Sequence, residues 1–362
     1  MSIVIFLILF SFAISFVFTV LTMPKLVAYC KKKHLYDQPN ARKVHHNAVP
    51  RLGGSLFVPA ILFSLVFSLL GYYYWVDRTL TFKLSTWVLG AGMVFMYLIG
   101  IVDDIVGVAA SKKFLVQIVA SAFMPLCGLY INNLYGFMGI YELSWWFAYP
   151  FTVFTILLIV NSINLIDGID GLASGIGLIA LTVFSLMFWQ SGTPLYSLFS
   201  AALLGTLFGF FLYNMLGIKS PYKIFMGDAG SLIVGYSLAY LSIKYEMFNL
   251  TVIPYRPHAM MVSFSLLFLP VMDLIRVALE RILHRKKVFA ADKTHIHHLV
   301  LQAGANMHQA LGILLLFYVS FLILNLYLVE HDVLVSTWVV LLDILLYFVF
   351  IFIVRRFRKE EA

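Results

Sequence analysis

Long apolar runs alternate with short polar segments along the whole chain, with no extended hydrophilic block between them. A helix of about 20 apolar residues crosses the roughly 30 Å hydrocarbon layer of a bilayer. The pattern predicts eleven such helices, at 3–23, 53–75, 84–102, 114–131, 145–164, 171–190, 196–217, 229–246, 258–280, 308–329 and 334–354. The expected fold is all-α, a polytopic integral membrane helix bundle. Residues 1–362 read as a single membrane-embedded domain, with functional loops near 24–51, 103–113, 161–171, 218–228 and 281–307. The first run lacks the basic start and small-residue cleavage site of a signal peptide and is expected to persist as a helix.

Three breaks in the apolar pattern are acidic: Asp103-Asp104, the stretch NSINLIDGIDG at 161–171, and Asp228. Hydrocarbon gives such groups no partner, so each must sit where water, protein or a ligand satisfies it. Every one falls at the end of a predicted span, and alternation of the spans brings all three to one membrane face. The composition agrees: 62% of residues are hydrophobic and 12% charged, against about 25% charged in a soluble domain. The net charge of +8 raises nucleic acid as a partner, but its distribution speaks for topology. With alternating sides, 21 of the 25 Lys and Arg residues fall on the face that carries the acids, and Arg78, Lys83, Lys244 and Arg256 fall on the other. The positive-inside rule makes the first face cytoplasmic, the N-terminus external and the C-terminus internal. Cys30 and Cys127 lie in different segments and suggest neither a disulfide framework nor a thiolate metal site.

Several residues then become candidates for chemistry. In the basic loop ending HHNAVPRLGG, Lys43 and Arg51 are placed to approach phosphate, with Gly53 and Gly54 allowing close backbone contact; a positive-inside loop with a turn would explain the same residues. Adjacent carboxylates at 103 and 104 need a cation, donors or a proton, and hard oxygens suit Mg2+. Lys113 is a further phosphate contact. In NSINLIDGIDG, Asn161, Asn164 and Asp167 follow at three-residue steps on one helical face, with Asp170 beyond, an arrangement for a common ligand. Asp228 precedes a helix and is either its N-cap or a metal carboxylate. His295, His297 and His298 lack the partners of a zinc site and suit phosphate contact or acid-base work. Asp273 precedes the basic loop near Arg276 and Arg281, whereas Asp343 sits inside the last span with no partner to name.

The ordered set PRLGG, DDIVG, NSINLIDGIDG, FMGDAGS and DKTHIHH, spread over 50–298, resembles the polyprenyl-phosphate N-acetylhexosamine-1-phosphate transferases. Each motif alone is weak; five in this order are specific. The DKTHIHH form resembles the bacterial branch that uses UDP-N-acetylglucosamine or a related UDP-N-acetylhexosamine. The resemblance implies transfer of the sugar 1-phosphate to undecaprenyl phosphate with release of UMP, at the cytoplasmic side of the bacterial inner membrane. It implies Mg2+, with Mn2+ as a substitute, held near Asp228 with Asn164 and Asp104. Asp103, Asp104, His295 and His297 would serve catalysis. Lys43, Arg51, Lys113, Asn161, Asp167, Asp170 and His298 would bind substrate. Membrane lipids are expected partners, a homodimer is an assembly compatible with the chain, and nucleic acid is not a partner. The rival expectation is a cation-coupled transporter, since polar breaks in helices also build transport sites; Asp343 is the residue that favours it.

Overall fold

The computed structural model describes residues 2–37, 49–216, 220–248, 256, 258–286, 294–331 and 334–357. Its long helices coincide with the predicted spans: α1 (Ser2–Lys32), α2 (Phe57–Trp75), α3 (Leu84–Val106), α4 (Ala110–Leu126), α5 (Trp145–Ile166), α6 (Leu172–Gln190), α7 (Pro194–Asn214), α8 (Gly227–Glu246) and α9 (Ala259–Leu283). After them come a short α10 (Ile296–Gln302), α11 (Met307–Glu330) and α12 (Ser336–Arg356). Among the described residues nine helices are long and apolar enough to cross a membrane. The chain is a multi-pass membrane protein.

The departures from expectation have local causes. The α1 helix continues through Pro24 to Lys32, so its apolar part ends well before the helix does. The α3 helix extends to Val106, which puts Asp103 and Asp104 in its last turns. Only 17 residues long, α4 starts at Ala110 and stops at Leu126, before an antiparallel hairpin of β3 (Asn133–Phe137) and β4 (Ile140–Glu142); a second pair, β1 (Tyr36–Asp37) and β2 (Val49–Pro50), adjoins the end of α1. The α10 helix lies in a loop from which no helix was expected, because one apolar-flanked turn leaves no readable periodicity.

At the centre stands α8. It packs on α3, α5, α6 and α9, and every residue from Ala229 to Glu246 is buried. Protein rather than lipid surrounds it, which is why it carries Ser231, Ser237 and Ser242 as well as Asp228, Lys244 and Glu246. Close backbone approach is the means of packing, as expected where hydrocarbon provides no hydrophobic drive between helices. A Cβ at Gly54 would lie 2.0 Å from the Gly230 nitrogen, and one at Gly100 2.4 Å from the Ala229 Cα. Expected from sequence to approach phosphate, Gly54 serves instead to seat the start of α2 on α8.

Gly54→Leu is therefore expected to abolish monodisperse, cooperatively unfolding protein. Gly312→Ala, where a Cβ meets nothing within 4 Å, is expected to keep it and to gain up to about 1 kcal/mol from helix propensity. Size-exclusion chromatography and thermal unfolding in detergent check both.

Candidate active site

Two segments far apart in sequence form the floor. The Phe225 N–H donates to the Pro50 carbonyl at 2.8 Å, Gly53 N–H to the Phe225 carbonyl at 3.0 Å, and Gly54 N–H to the Met226 carbonyl at 2.8 Å. This pairing delivers the chain to Gly227, whose φ of 75° lies in the left-handed region. A side chain at 227 would also come within 2.1 Å of the Arg51 carbonyl. Glycine thus starts α8 here because no other residue fits.

The first turn of α8 is capped by Asp104. Its Oδ1 accepts from Asp228 N–H at 2.9 Å and its Oδ2 from Ala229 N–H at 3.1 Å, satisfying donors that have no partner inside the helix. Arg51 adds to the same corner, donating to the Asp103 carbonyl at 2.8 Å and the Asp104 carbonyl at 3.0 Å and lying 3.4 Å from Asp104 Oδ1. A guanidinium on the last carbonyls of α3 opposes that helix's negative end. These bonds bear on two sequence expectations. With 1% of its side chain exposed and both oxygens on backbone donors, Asp104 positions the start of α8, a structural part that the sequence did not suggest. Likewise Arg51 clamps the end of α3. Lys43 lies outside the described residues.

Since Asp104 does the capping, Asp228 is released from it. The Asp228 side chain turns into the cleft, 23% exposed, where its Oδ1 accepts from Lys113 Nζ and, at 2.6 Å, from Asn164 Nδ2. Lys113 Nζ also reaches Asp103 Oδ2 at 3.0 Å, while Asp103 Oδ1 accepts from Val108 N–H at 2.6 Å. One ammonium thus spans carboxylates from α3 and α8. Asn164 Nδ2 also donates to Ser231 Oγ at 2.8 Å, so Asn164 orients Asp228 through its amide nitrogen.

The helical face expected to gather Asn161, Asn164 and Asp167 around one ligand is divided. Asn161 Nδ2 donates to Gln117 Oε1 on α4 at 2.8 Å, away from the Asp228 group. No hydrogen bond or ion pair engages the Asp167 carboxylate among the described residues. Burial, and then the charges of Asp170, Asp228 and Asp104, hold its pKa well above the ordinary carboxylate range. Asp170, by contrast, accepts from Lys223 Nζ at 2.6 Å, and Asn214 Nδ2 lies 3.4 Å from its Oδ1. Lys223 is 3% exposed, and burial outweighs Asp170 in pushing its pKa down. Asn214 also accepts from Gly171 N–H at 2.8 Å and donates to the Ile224 carbonyl at 3.1 Å. Asp170, expected to bind substrate, ties the aspartate-glycine turn to the 220–226 loop. Lys223 carried only a topological signal in sequence, and Asn214 none.

The histidine segment is set by a buried network. Asp273 Oδ2 lies 2.8 Å from His295 Nδ1, and its Oδ1 accepts from Ile296 N–H at 3.0 Å, Arg276 NH2 at 2.6 Å and Tyr347 Oη at 3.2 Å. Arg276 donates further to the Thr294 carbonyl at 2.7 Å. So α9 and α12 hold α10 by its first residues, and Asp273 fixes which nitrogen His295 turns outward. His297 stacks between its neighbours, with ring centroids 5.9 Å from His295 and 4.2 Å from His298. Its ring rests on Gly168, where a Cβ would lie 2.0 Å from Nε2, which explains a glycine in the aspartate-glycine turn. Burial first, then the neighbouring His298, pushes the His297 pKa down to about 3. His297 is a neutral imidazole, able to donate one hydrogen bond but no charge.

Among the described residues no group of three His, Cys, Asp or Glu side chains is spaced to cage a metal. Magnesium does not require one, since it keeps waters and binds one or two carboxylates plus substrate phosphates. Asp103 and Asp228 already share one positive charge, that of Lys113. This set of hard oxygens fits Mg2+. Away from the cleft, Asp343 is fully buried. Its partner is Asn325, whose Nδ2 donates to Asp343 Oδ2 at 2.7 Å and to Ser265 Oγ at 2.9 Å.

The glycosyl transferase family 4 signature matches residues 86–246, which covers α3 to α8 and all the acidic motifs. A Bacillus subtilis (strain 168) protein named as a probable undecaprenyl-phosphate N-acetylglucosaminyl 1-phosphate transferase is 30% identical over 318 residues, 86% of this chain and 82% of its own. The undecaprenyl-phosphate alpha-N-acetylglucosaminyl 1-phosphate transferase of Escherichia coli (strain K12) is 27% identical over 335 residues, 92% of this chain and 87% of its own. Its Yersinia pestis counterpart is 27% identical over 278 residues, 76% and 72% of the two chains.

Two outcomes are expected. Asp170→Asn leaves the Lys223 ammonium buried without its counter-charge and should cost about 3–5 kcal/mol, most of it recovered in the Asp170→Asn/Lys223→Met double variant; thermal unfolding in detergent reads this. Between its ordinary pKa of 6.5 and about 3, His297 takes up a proton in the unfolded chain but not in the folded one. Its contribution to stability is complete above about 6.5 and falls with pH below it. His297→Asn should flatten that acid-side slope in unfolding temperature measured against pH.

Proposed function

The chain belongs to glycosyl transferase family 4, and we propose that it transfers N-acetylglucosamine 1-phosphate from UDP-N-acetylglucosamine to undecaprenyl phosphate, at the cytoplasmic face of a bacterial inner membrane. The observation that carries this reading is the Asp103, Lys113, Asp228 and Asn164 group at the helix ends. It joins acidic oxygens to a lysine ammonium at the helix ends, where a soluble donor and a lipid acceptor would meet.

An oxygen of the lipid phosphate attacks the sugar-bearing phosphorus of the donor. A new P–O bond forms, the bond from that phosphorus to the bridging oxygen breaks, and UMP leaves with the bridging oxygen. The product is the undecaprenyl diphosphate sugar, the first lipid-linked intermediate of a surface glycan. A phosphate monoester has its second pKa near 6, so most acceptor is already a dianion at neutral pH and needs little help from a base. Of the two aspartates at 103 and 104, Asp103 is the one whose side chain faces the cleft and Lys113. Direct attack requires no covalent enzyme intermediate.

The main demand on the protein is electrostatic. Lys113 reaches the transferring phosphate, and His295, held by Asp273, donates from its outward nitrogen. His297 and His298 line the same segment. Asp167, which pairs with no described residue, is placed to hydrogen-bond the nucleotide-sugar. Mg2+, with Mn2+ as a substitute, would be held by Asp228, with Asp103 beside it, and supplies charge neutralisation for the diphosphate and the departing UMP. The transport reading rested on Asp343, whose hydrogen bond to Asn325 gives it a partner within the bundle.

Asp228→Asn is expected to lose nearly all transfer while the protein still inserts and folds. The assay is the passage of labelled sugar from UDP-N-acetylglucosamine into organic-extractable lipid by purified protein with undecaprenyl phosphate, with and without magnesium. Substantial turnover by the variant at ordinary magnesium levels would sink the metal assignment.

A further inference from the structure

The four Lys and Arg residues on the face away from the active site are few, yet three of them meet in one place. Lys83, Lys244 and Arg256 all line a cavity of about 470 Å³ between the far ends of α2, α3, α7 and α8. It is a different site from the one described above. Along α8, Asp228 and Lys244 are sixteen residues apart, on the order of 24 Å at the helical rise. The size is that of a small-molecule pocket.

The walls are apolar, with Leu65, Leu69, Met93 and Phe199 among them. The mouth opens on the bundle surface, since Leu62 and Trp87 line it and are 57% and 67% exposed. The cleft exists because α2 packs on α1 and α7, whereas α3 packs on α8 and α4. No described Asp or Glu lines it. Buried among these walls, Lys244 stands over the Tyr196 ring at 5.3 Å and has no carboxylate partner among the described residues. Arg256 donates to the Tyr245 carbonyl at 2.9 Å and lies over the Tyr245 ring, which leaves its charge uncompensated by any described acid. A buried ammonium without a counter-charge is costly. Its natural complement is an anion that brings its own apolar body.

We propose that this cleft binds a phospholipid with an anionic headgroup from the leaflet opposite the active site. The lipid phosphate sits at Lys83 and Lys244, with Arg256 at the rim, and an acyl chain fills the groove between α2 and α3. Charge complementarity carries the choice of occupant: a zwitterionic lipid would leave the cations unmatched, and free phosphate would leave the apolar walls empty. The site does not depend on the transfer reaction.

The test reconstitutes the full chain in vesicles of equal phosphatidylcholine and phosphatidylglycerol, extracts it in mild detergent, and counts retained lipid by native mass spectrometry. One phosphatidylglycerol is expected to stay bound in preference to phosphatidylcholine. Lys83→Gln/Lys244→Gln should weaken that retention by roughly twenty-five-fold, two cations each contributing about a factor of five near an anionic group. Gly90→Leu keeps both lysines but fills the groove from a position where a Cβ meets nothing within 4 Å, and it should lose the lipid as well. This second variant carries the test if the first does not fold. Equal retention of the two lipids, retention unchanged in Gly90→Leu, or displacement of the lipid by millimolar inorganic phosphate would each overturn the proposal.

Discussion

The geometry of the candidate site depends on one cap: the two hydrogen bonds that the Asp104 carboxylate accepts from the first N–H groups of α8. They join the end of one helix to the start of another. In doing so they decide which of three acids is structural and which two face the cleft. If Asp228 had to cap its own helix, its oxygens would be turned back on the backbone. Because Asp104 satisfies those donors, Asp228 can point outward to Lys113 and Asn164. Arg51 then holds the end of α3 and stands beside the capping carboxylate, so the arginine of the first loop supports the second and fourth motifs.

A similar division of labour runs through the other motifs. In the 161–171 stretch, Asp167 pairs with no described residue and Asp170 is locked to Lys223, so Asp170 holds the turn that presents Asp167. In the last loop Asp273 and Arg276 position the histidines from below. The polar residues of a membrane site must satisfy one another before they can serve a substrate, and about half of those in this cleft do the first so that the others can do the second. The small-residue packing of α8 belongs to the same scheme: with protein on all sides, the helix can hold charge at both of its ends.

The sequence made the overall plan legible. Apolar runs of membrane length placed eleven helices, and interruptions by Asp, Asn and Gly marked the helix ends that converge. Residue type at a position was readable; the partner was not. Asp104 and Asp228 look alike in sequence, each an acid at a helix end, and only the crossing of α3 over α8 tells them apart. Lys223 was one of many lysines on a basic face, and nothing local distinguishes it from those that merely set topology. Asn214 lies at the foot of an apolar run and pairs 43 residues away. The glycine at 54 was legible as a site of close approach, but the body approached is Gly230 rather than a ligand, and the approach of His297 to Gly168 left no local signal.

The ammonium of Lys113, between Asp103 and Asp228, gives the resting protein an internal counter-ion. Under the proposed reaction, a divalent cation at those carboxylates would compete with a tethered rival that cannot diffuse away, and the displaced ammonium would become available to a phosphate. Cation and diphosphate would then favour each other's entry, and the charges of the cleft would balance only with both present.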